Sequence, residues 1–133
     1  MKLFNKLTCF LRPVINFLFP DLKKDENTKK EISMNMIANI LGLGNAATPL
    51  GIKAMKTMQK KNIKKDTLSN SMMMFIVLNT ASIQLIPTNV IAIRTSLNSN
   101  NPTTIIIPVW IATVIAAIVG ISFTKILIKK IKE

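Results

Sequence analysis

Charge is confined to short stretches of this chain, and the stretches between them are long, apolar and uncharged. Of 133 residues, 18 are Lys or Arg, 6 are Asp or Glu, and 49% are hydrophobic. Uncharged runs occupy residues 32–52, 67–93 and 95–124. A disordered basic tail needs low hydrophobicity, so the pattern excludes one. It also argues against an ordinary soluble domain and is typical of a membrane protein whose basic residues flank its spans.

Other classes of function find little support in the composition. The formal net charge is +12, but there is no tyrosine and the lysines flank apolar runs, so we expect no nucleic-acid partner. Histidine is absent and Cys9 is the one cysteine, which excludes a His/Cys metal site and an intramolecular disulfide. No acidic pair lies inside an apolar run, and nothing positions a Ser or Lys nucleophile. We therefore expect no catalytic residue, no metal and no cofactor.

The N-terminal residues 1–19 place basic side chains among apolar ones. The apolar positions with helical spacing are Phe4, Leu7, Phe10, Leu11, Val14, Ile15 and Leu18, and the basic ones are Lys2, Lys6 and Arg12. A signal peptide needs an unbroken apolar run of about 7–15 residues, which Arg12 and Pro13 interrupt. The pattern predicts an amphipathic helix. This helix either lies in the membrane interface, with its basic residues near lipid headgroups, or packs on the rest of the domain. The charged residues 20–31 then form a connector.

The first uncharged run, residues 32–52, has 21 residues, about the length of one bilayer span. Residues 42–45 predict a helix C-terminus within it, because glycine tolerates the left-handed backbone of a cap. Thr48 and Pro49 predict a new helix, with Thr48 as N-cap and proline at the first helical position. The run is thus expected to form two half-helices joined by an unwound stretch. The lysine-rich residues 53–65 follow, and the positive-inside rule places them in the cytoplasm.

The second uncharged run, residues 67–93, predicts a helix with Asp66 as its cap. Its first half is strongly apolar, but its second half is polar and contains Pro87. The polar residues there are Asn79, Thr80, Ser82, Gln84, Thr88 and Asn89. We expect a helix that runs into a discontinuous segment at membrane depth. Arg94 follows, either reaching back to the interface or contacting a ligand.

Residues 104–124 are the clearest membrane-spanning helix of the chain. The polar loop before it, residues 95–103, has no lysine, whereas the tail, residues 125–133, has four. The positive-inside rule therefore predicts an outer loop and a cytoplasmic C-terminus. The fold class that follows is an all-α, multi-pass integral membrane protein of the cell membrane, with discontinuous (broken or re-entrant) helices.

The two interrupted segments share a chemical character. Non-helical backbone at membrane depth needs cover from protein or a water-filled cavity, and half-helix N-termini attract polar groups there. We predict a solute-binding site between these segments, formed by Asn39, Gly44, Asn45, Thr48, Asn79, Thr80, Ser82 and Thr88. The alternative is structural, because Asn, Ser and Thr of membrane helices also hydrogen-bond to neighbouring helices or to their own backbone.

Two blocks of sequence resemble the spore maturation protein A family of endospore-forming bacteria. Residues 35–59 match a family segment N-x-x-A-N-x-x-G-L-G-N-A-A-T-P-x-G-x-K-A-M. Residues 75–94 are similar to its second block, F-x-x-L-N-T-S-S-x-x-L-I-P-T-x-V-I-x-x-R, with Ala81 where serine is common. The resemblance extends from Leu7 to about Ser122.

The resemblance implies a gate domain, also called a nucleoside-recognition domain, like those of nucleoside and ferrous-iron transporters. It implies a role in spore core dehydration and heat resistance, with spore maturation protein B as a membrane partner. The domains expected are the amphipathic helix and connector at 1–31, the gate domain at 32–124 and the basic tail at 125–133. Family members usually carry apolar segments ahead of this region, so we expect a chain that is truncated, that starts late or that takes those segments from a partner.

Two rival functions stay open at this point. One is a transporter component for nucleosides or another small metabolite, without a tie to sporulation. The other is a membrane scaffold that transports nothing and only holds a partner. The lipid bilayer and a small polar solute are the other partners expected.

Overall fold

The computed structural model describes the backbone of residues 2–132 and the side chains of residues 6–131; the side chains of Lys2 and Phe4 lie outside this part. The described residues form helices and turns, with no strand. The α-helices are α1 (Lys2–Leu18), α2 (Glu26–Ile40), α3 (Gly44–Lys61), α4 (Asn70–Ala81), α5 (Thr88–Ser96) and α6 (Ile106–Lys132). Short 3₁₀ turns at Pro20–Leu22 and Pro102–Ile105 precede α2 and α6. The all-α prediction is confirmed.

One stripe of α1 packs into the core of the molecule. Leu11, Ile15 and Leu18 are buried there, at the i, i+4, i+7 spacing of one helix face. The neighbouring stripe is different, since Phe10 and Phe17 are 76% and 68% exposed. Packing on the domain therefore accounts for one apolar stripe of this helix, and the stripe with Phe10 and Phe17 is exposed.

Helices α2 and α3 form the centre of the fold as an antiparallel pair. Ile32 and Ile37 of α2 and Ala54 and Met58 of α3 are buried in one apolar cluster, which α4 closes with Phe75 and its methionines. Helix α2 begins at Glu26, so the end of the charged connector predicted at 20–31 is helical. Its N-cap is Asp25, whose carboxylate accepts a hydrogen bond from the Thr28 amide.

Helix α6 packs against α4 along one side only. A Cβ added at Gly120 would lie 2.8 Å from a methyl group of Val77, so glycine permits this close approach. The outer side of α6 is covered by nothing in the described chain, and Ile107, Ile118 and Phe123 are 60–65% exposed. By length and composition, one helix of the described residues can cross a membrane, the stretch Pro102–Ile131. It extends beyond the predicted span of 104–124 into the lysine-rich tail.

Two predicted helix starts are wrong. Helix α3 begins at Gly44, not after Thr48, because the Leu43 carbonyl accepts the amides of Ala46 and Ala47 and starts the helix early. Pro49 consequently lies inside the helix, where it donates no backbone hydrogen bond.

The second wrong start is that of α4, whose predicted cap is Asp66. Ser69, and not Asp66, caps this helix, since its hydroxyl accepts the Met72 amide at 3.3 Å. The Asn62 side chain holds the preceding turn by donating to the Thr67 carbonyl at 2.6 Å, so the helix starts three residues later than predicted.

Candidate functional site

The turn between α2 and α3 is fixed by Gly42. Its φ is +71°, and the amides of Gly42 and Leu43 donate to the carbonyls of Asn39 and Ala38 at 2.9 and 2.8 Å. These two bonds form a Schellman motif, which satisfies the last carbonyls of a helix and needs a left-handed residue at the position of Gly42. The helix end predicted at residues 42–45 is confirmed for Gly42, whereas Gly44 and Asn45 belong to α3.

The turn between α4 and α5 lies against the first turn. Ser82 ends α4 in the left-handed region, at φ +44°, and buried Pro87 precedes α5. The Leu85 amide donates to the Ile40 carbonyl at 2.7 Å, and the Thr88 hydroxyl donates to the Gly42 carbonyl at 2.8 Å. The two interruptions of the uncharged runs therefore hold each other in place.

A third element reaches the same junction. The indole of Trp110, near the start of α6, donates to the Leu85 carbonyl at 2.8 Å. A Cβ at Gly42 would lie 2.2 Å from the Ile86 carbonyl oxygen, so the backbones of the two turns are in direct contact. This arrangement orients the ends of α2 and α4, from which the polar side chains of the candidate site project.

Three asparagines connect the helices beside this junction. The Asn39 side-chain amide donates to the side-chain oxygen of Asn79 at 2.9 Å and of Asn35 at 3.4 Å. Asn35 is 1% exposed and donates to the Ala47 carbonyl at 2.8 Å. Asn79 donates to the Phe75 carbonyl at 2.9 Å. The chain of amides thus links α4 through α2 to α3 and leaves few unsatisfied polar atoms.

An open cleft of about 590 Å³ lies between α3, α4 and this amide chain. We call it the asparagine cleft. Its lining residues are Asn39, Gly44, Ala47, Thr48, Gly51, Ile52, Met55, Phe75, Ile76, Asn79, Thr80, Ser82 and Gln84. None of them is charged, so the cleft offers amides, hydroxyls and apolar surface to a ligand.

The structure brings most of the predicted site residues together. Six line the asparagine cleft: Asn39, Gly44, Thr48, Asn79, Thr80 and Ser82. Asn45 is exposed on the first turn of α3 and does not line it. Thr88 is also outside, with its hydroxyl engaged by Gly42. The hydroxyls of Thr48, Thr80 and Ser82 donate to backbone carbonyls of their own helices at 3.2, 2.9 and 2.6 Å, so their free lone pairs are acceptors.

The predicted site omits Asn35, Gly51 and Gln84, of which Gln84 is noted above only as a polar residue of the second uncharged run. Asn35 lies one helical turn before Asn39, a spacing that places both on one face of α2. Gly51 is required by that same side chain, since a Cβ there would lie 2.9 Å from the Asn35 amide nitrogen. The spacing of Asn35 and Asn39 is readable in the sequence, whereas the contact of Asn35 with Gly51 is visible only once α2 and α3 are placed as neighbours.

Arg94 does not reach the cleft. Its guanidinium donates to the Ser99 and Thr104 hydroxyls and to the Asn101 carbonyl, each at 3.3 Å. It ties α5 to the turn before α6, so a structural role explains this residue. Among the residues that the structure describes, no three His, Cys, Asp or Glu side chains are grouped so that they could hold a metal ion.

Charge gathers at the start of α2 instead. Burial raises the pKa of Asp25, but hydrogen bonds from Lys61 and Thr28 outweigh it and hold that pKa below its usual range. The Thr28 hydroxyl donates to the carboxylate at 2.5 Å. The hydrogen bond from Lys29, at 2.6 Å, likewise lowers the pKa of Glu26, assisted by Arg12. Both carboxylates are therefore paired with cationic side chains of the same chain.

Fold and site define an all-helical protein with an uncharged polar cleft and one long apolar helix of membrane-spanning length. Over 107 residues the chain is 50% identical to spore maturation protein A of Bacillus subtilis (strain 168). The match includes 80% of this chain and 55% of that relative, so the chain spans about half the length of the curated relative it matches. No protein-family model matches the chain. No solved structure matches it significantly.

Proposed function

We propose that this chain acts in spore maturation as a membrane protein that promotes spore core dehydration and heat resistance. The proposed role in spore maturation rests on the similarity to spore maturation protein A. The mechanism proposed is passage or sensing of a small solute at the asparagine cleft, without catalysis and without a cofactor.

The composition of the cleft supports a neutral polar solute. Its lining combines amide and hydroxyl groups with apolar side chains and has no charge to attract an ion. Exposed Thr48 and Thr80 stand on opposite helices of the cleft and offer acceptor lone pairs to donors of a solute. These acceptors favour a solute that carries hydrogen-bond donors.

We propose a multi-pass topology in which the two interrupted runs act as discontinuous helices and the lysine-rich end is cytoplasmic. The positions of the lysines support this orientation. Lys61 and Lys64 line a pocket next to one lined by Lys125 and Lys129, and Asp21 lines both. The two basic stretches therefore lie at one end of the molecule, as the positive-inside rule requires of a single membrane side.

A second membrane protein completes the proposal. The outer face of α6 exposes a continuous set of large apolar side chains, including Ile111, Ile115 and Ile118. Lipid or another membrane protein is the environment that such a face favours. We propose a protein like spore maturation protein B as the partner, in keeping with the resemblance of the sequence blocks.

The test is the buoyant density of spores from a deletion strain complemented with variants of this chain. Wild type should restore dense, heat-resistant spores. Asn79→Leu should not, because it removes the partner of Asn39 and a polar wall of the cleft. Asn45→Leu is the matched control, since it makes the same change outside the cleft and should restore density. Membrane levels measured by immunoblot separate loss of function from loss of protein.

Two results would count against the proposal. Normal density of the deletion strain would remove the spore role. Equal rescue by Asn79→Leu and Asn45→Leu would remove the cleft from the mechanism and favour a scaffold. One observation favours that second function: the amides of Asn35 and Asn39 already serve as donors between helices. Uptake of nucleosides by liposomes that contain the purified chain would instead favour the transporter.

A further inference from the structure

A second pocket, of about 330 Å³, lies where α1, α4 and α6 meet at the lysine-rich end of the molecule. Apolar side chains of all three helices line it, among them Phe17, Met74 and Ile128. Two cationic side chains, Lys125 and Lys129, line it as well. The pocket is distinct from the asparagine cleft, since the two share no lining residue.

The start of α4 also borders this pocket. Asn70 and Ser71 are the first two residues of this 12-residue helix, and both line the pocket. In the described chain, no hydrogen bond is made by their backbone amides, whereas the next amide is capped by Ser69. Free amides and the positive end of the helix dipole favour an anion at this position.

Ser71 gives independent evidence that a ligand belongs here. Its side chain is 5% exposed, and its buried hydroxyl has no hydrogen-bond partner within the described part of the chain. Buried hydroxyls are nearly always paired, since an unpaired one is unfavourable. An acceptor oxygen of a ligand in the pocket would satisfy this hydroxyl.

The two lysines lack an anionic partner. The Lys125 ammonium lies 3.2 Å from the centroid of the Phe17 ring, and Lys129 follows one helical turn later on the same face of α6. Neither pairs with a carboxylate of the described residues. Asp21 also lines the pocket, so its carboxylate opposes an anion and reduces, without cancelling, the positive charge.

We propose that this pocket binds a phosphate group. Lys125 and Lys129 neutralise its charge, and the Ser71 hydroxyl and the first amides of α4 donate to its oxygens. Lys125 ends the apolar stretch of α6, so a span through the bilayer places the pocket at headgroup depth. The phosphate is then that of an anionic phospholipid or a free phosphate from solution. Phosphate binding at this pocket depends neither on the proposed role in spores nor on the passage of a solute through the asparagine cleft.

The test titrates the full chain in uncharged detergent with three probes. These are short-chain phosphatidylglycerol, phosphatidylcholine of the same chain length, and inorganic phosphate, with ³¹P NMR as the readout. Lys129→Gln should weaken saturable binding about 5-fold, the loss expected for one lysine near an anionic group. Ser71→Ala should weaken it by a similar factor. Asp21→Asn should strengthen it, because it removes the opposing charge.

The control is Lys130→Gln, which removes an exposed charge one residue outside the pocket. Saturable binding that Lys129→Gln weakens and Lys130→Gln leaves unchanged supports the site. Preference for phosphatidylglycerol over inorganic phosphate then identifies lipid as the source, and equal binding of both identifies free phosphate. Equal losses in the two lysine variants, or no saturation with any probe, would overturn the proposal. Circular dichroism of each variant checks that its helices are intact.

Discussion

At the scale of single residues, asparagines and glycines determine the geometry of the candidate site. Asn35 adds a side-chain donor to the Ala47 carbonyl of α3, and Asn39 supplies a donor to the side-chain oxygen of Asn79, which an apolar residue could not do. Gly42 is required twice, by its positive φ and by the contact of its Cα with the next turn. These residues matter for their hydrogen bonds and their small size.

Gly42→Ala should destabilise the protein by at least about 2 kcal/mol. A left-handed backbone costs an L-residue about 1–2 kcal/mol, and the overlap of the new Cβ with the Ile86 carbonyl adds to this. Unfolding by sodium dodecyl sulfate in mixed micelles measures the change. Gly44→Ala is the control, because its Cβ meets nothing closer than 3.5 Å. Equal stabilities of the two variants would contradict the close contact of the two turns.

At the scale of elements, the helix ends and one helix pair determine how the bundle closes. Asp25 caps α2 and pairs with Lys61 at the end of α3, so one carboxylate ties together two helices. On the opposite side, Gly120 brings α6 against Val77 of α4. Both contacts join segments that are far apart in the sequence.

Stability should fall as the pH drops below about 4, because Asp25 and Glu26 have lowered pKa values in the folded state. A carboxylate with a depressed folded pKa stabilises the fold above its unfolded pKa. That contribution is lost as the pH falls through the folded pKa. Melting temperatures from pH 7 to pH 2.5 should therefore decline, and Asp25→Asn should reduce the slope. Asp66→Asn, which alters an exposed carboxylate outside any cap, should leave the slope as in wild type.

Gly120→Ala should destabilise the α4–α6 pair by about 1–3 kcal/mol through overpacking against Val77. Val77→Ala removes the methyl group that the new Cβ would meet. In that background Gly120→Ala should become neutral or stabilising, because alanine favours a helix over glycine by about 1 kcal/mol. A double-mutant cycle measured by unfolding in micelles gives the coupling directly. Additive effects would show that the two helices do not touch at this point.

At the scale of the whole molecule, polarity is divided between two ends and one long side. The lysine-rich stretches gather at one end, and the paired turns lie near the start of α6, where Trp110 contacts Leu85. The outer side of α6 exposes large apolar side chains from Ile107 to Phe123, ahead of its lysine-rich end. Such a distribution suits a molecule whose long axis crosses a bilayer, as proposed above.

The proposed orientation predicts which positions react with a membrane-impermeant maleimide in intact cells. In a Cys9→Ser background, Asn100→Cys should be labelled and Lys64→Cys should not. The reason is that residues 95–103 are proposed to be outside and the lysine-rich segment inside. After permeabilisation both variants should react. Labelling of Lys64→Cys in intact cells would contradict the proposed orientation. Denatured samples of both variants serve as the standard for full reactivity.

Local signals in the sequence determined the all-helical class, the stop at Gly42 and the long apolar helix. Helical periodicity, the left-handed tolerance of glycine and an uncharged run of span length act within a few neighbouring residues, so they are readable without a fold. The start of α3 was not predictable in this way. Thr48 and Pro49 are a valid cap signal, but the helix begins earlier because the Leu43 carbonyl accepts its first hydrogen bonds.

The tertiary structure alone decided that Asn39 and Asn79, 40 residues apart, share a hydrogen bond while Asn45 faces outward. Which side chain of a polar cluster lines a cleft depends on how helices are rotated against one another. That rotation is set by long-range packing, here by Gly51 beneath Asn35 and Gly120 beneath Val77.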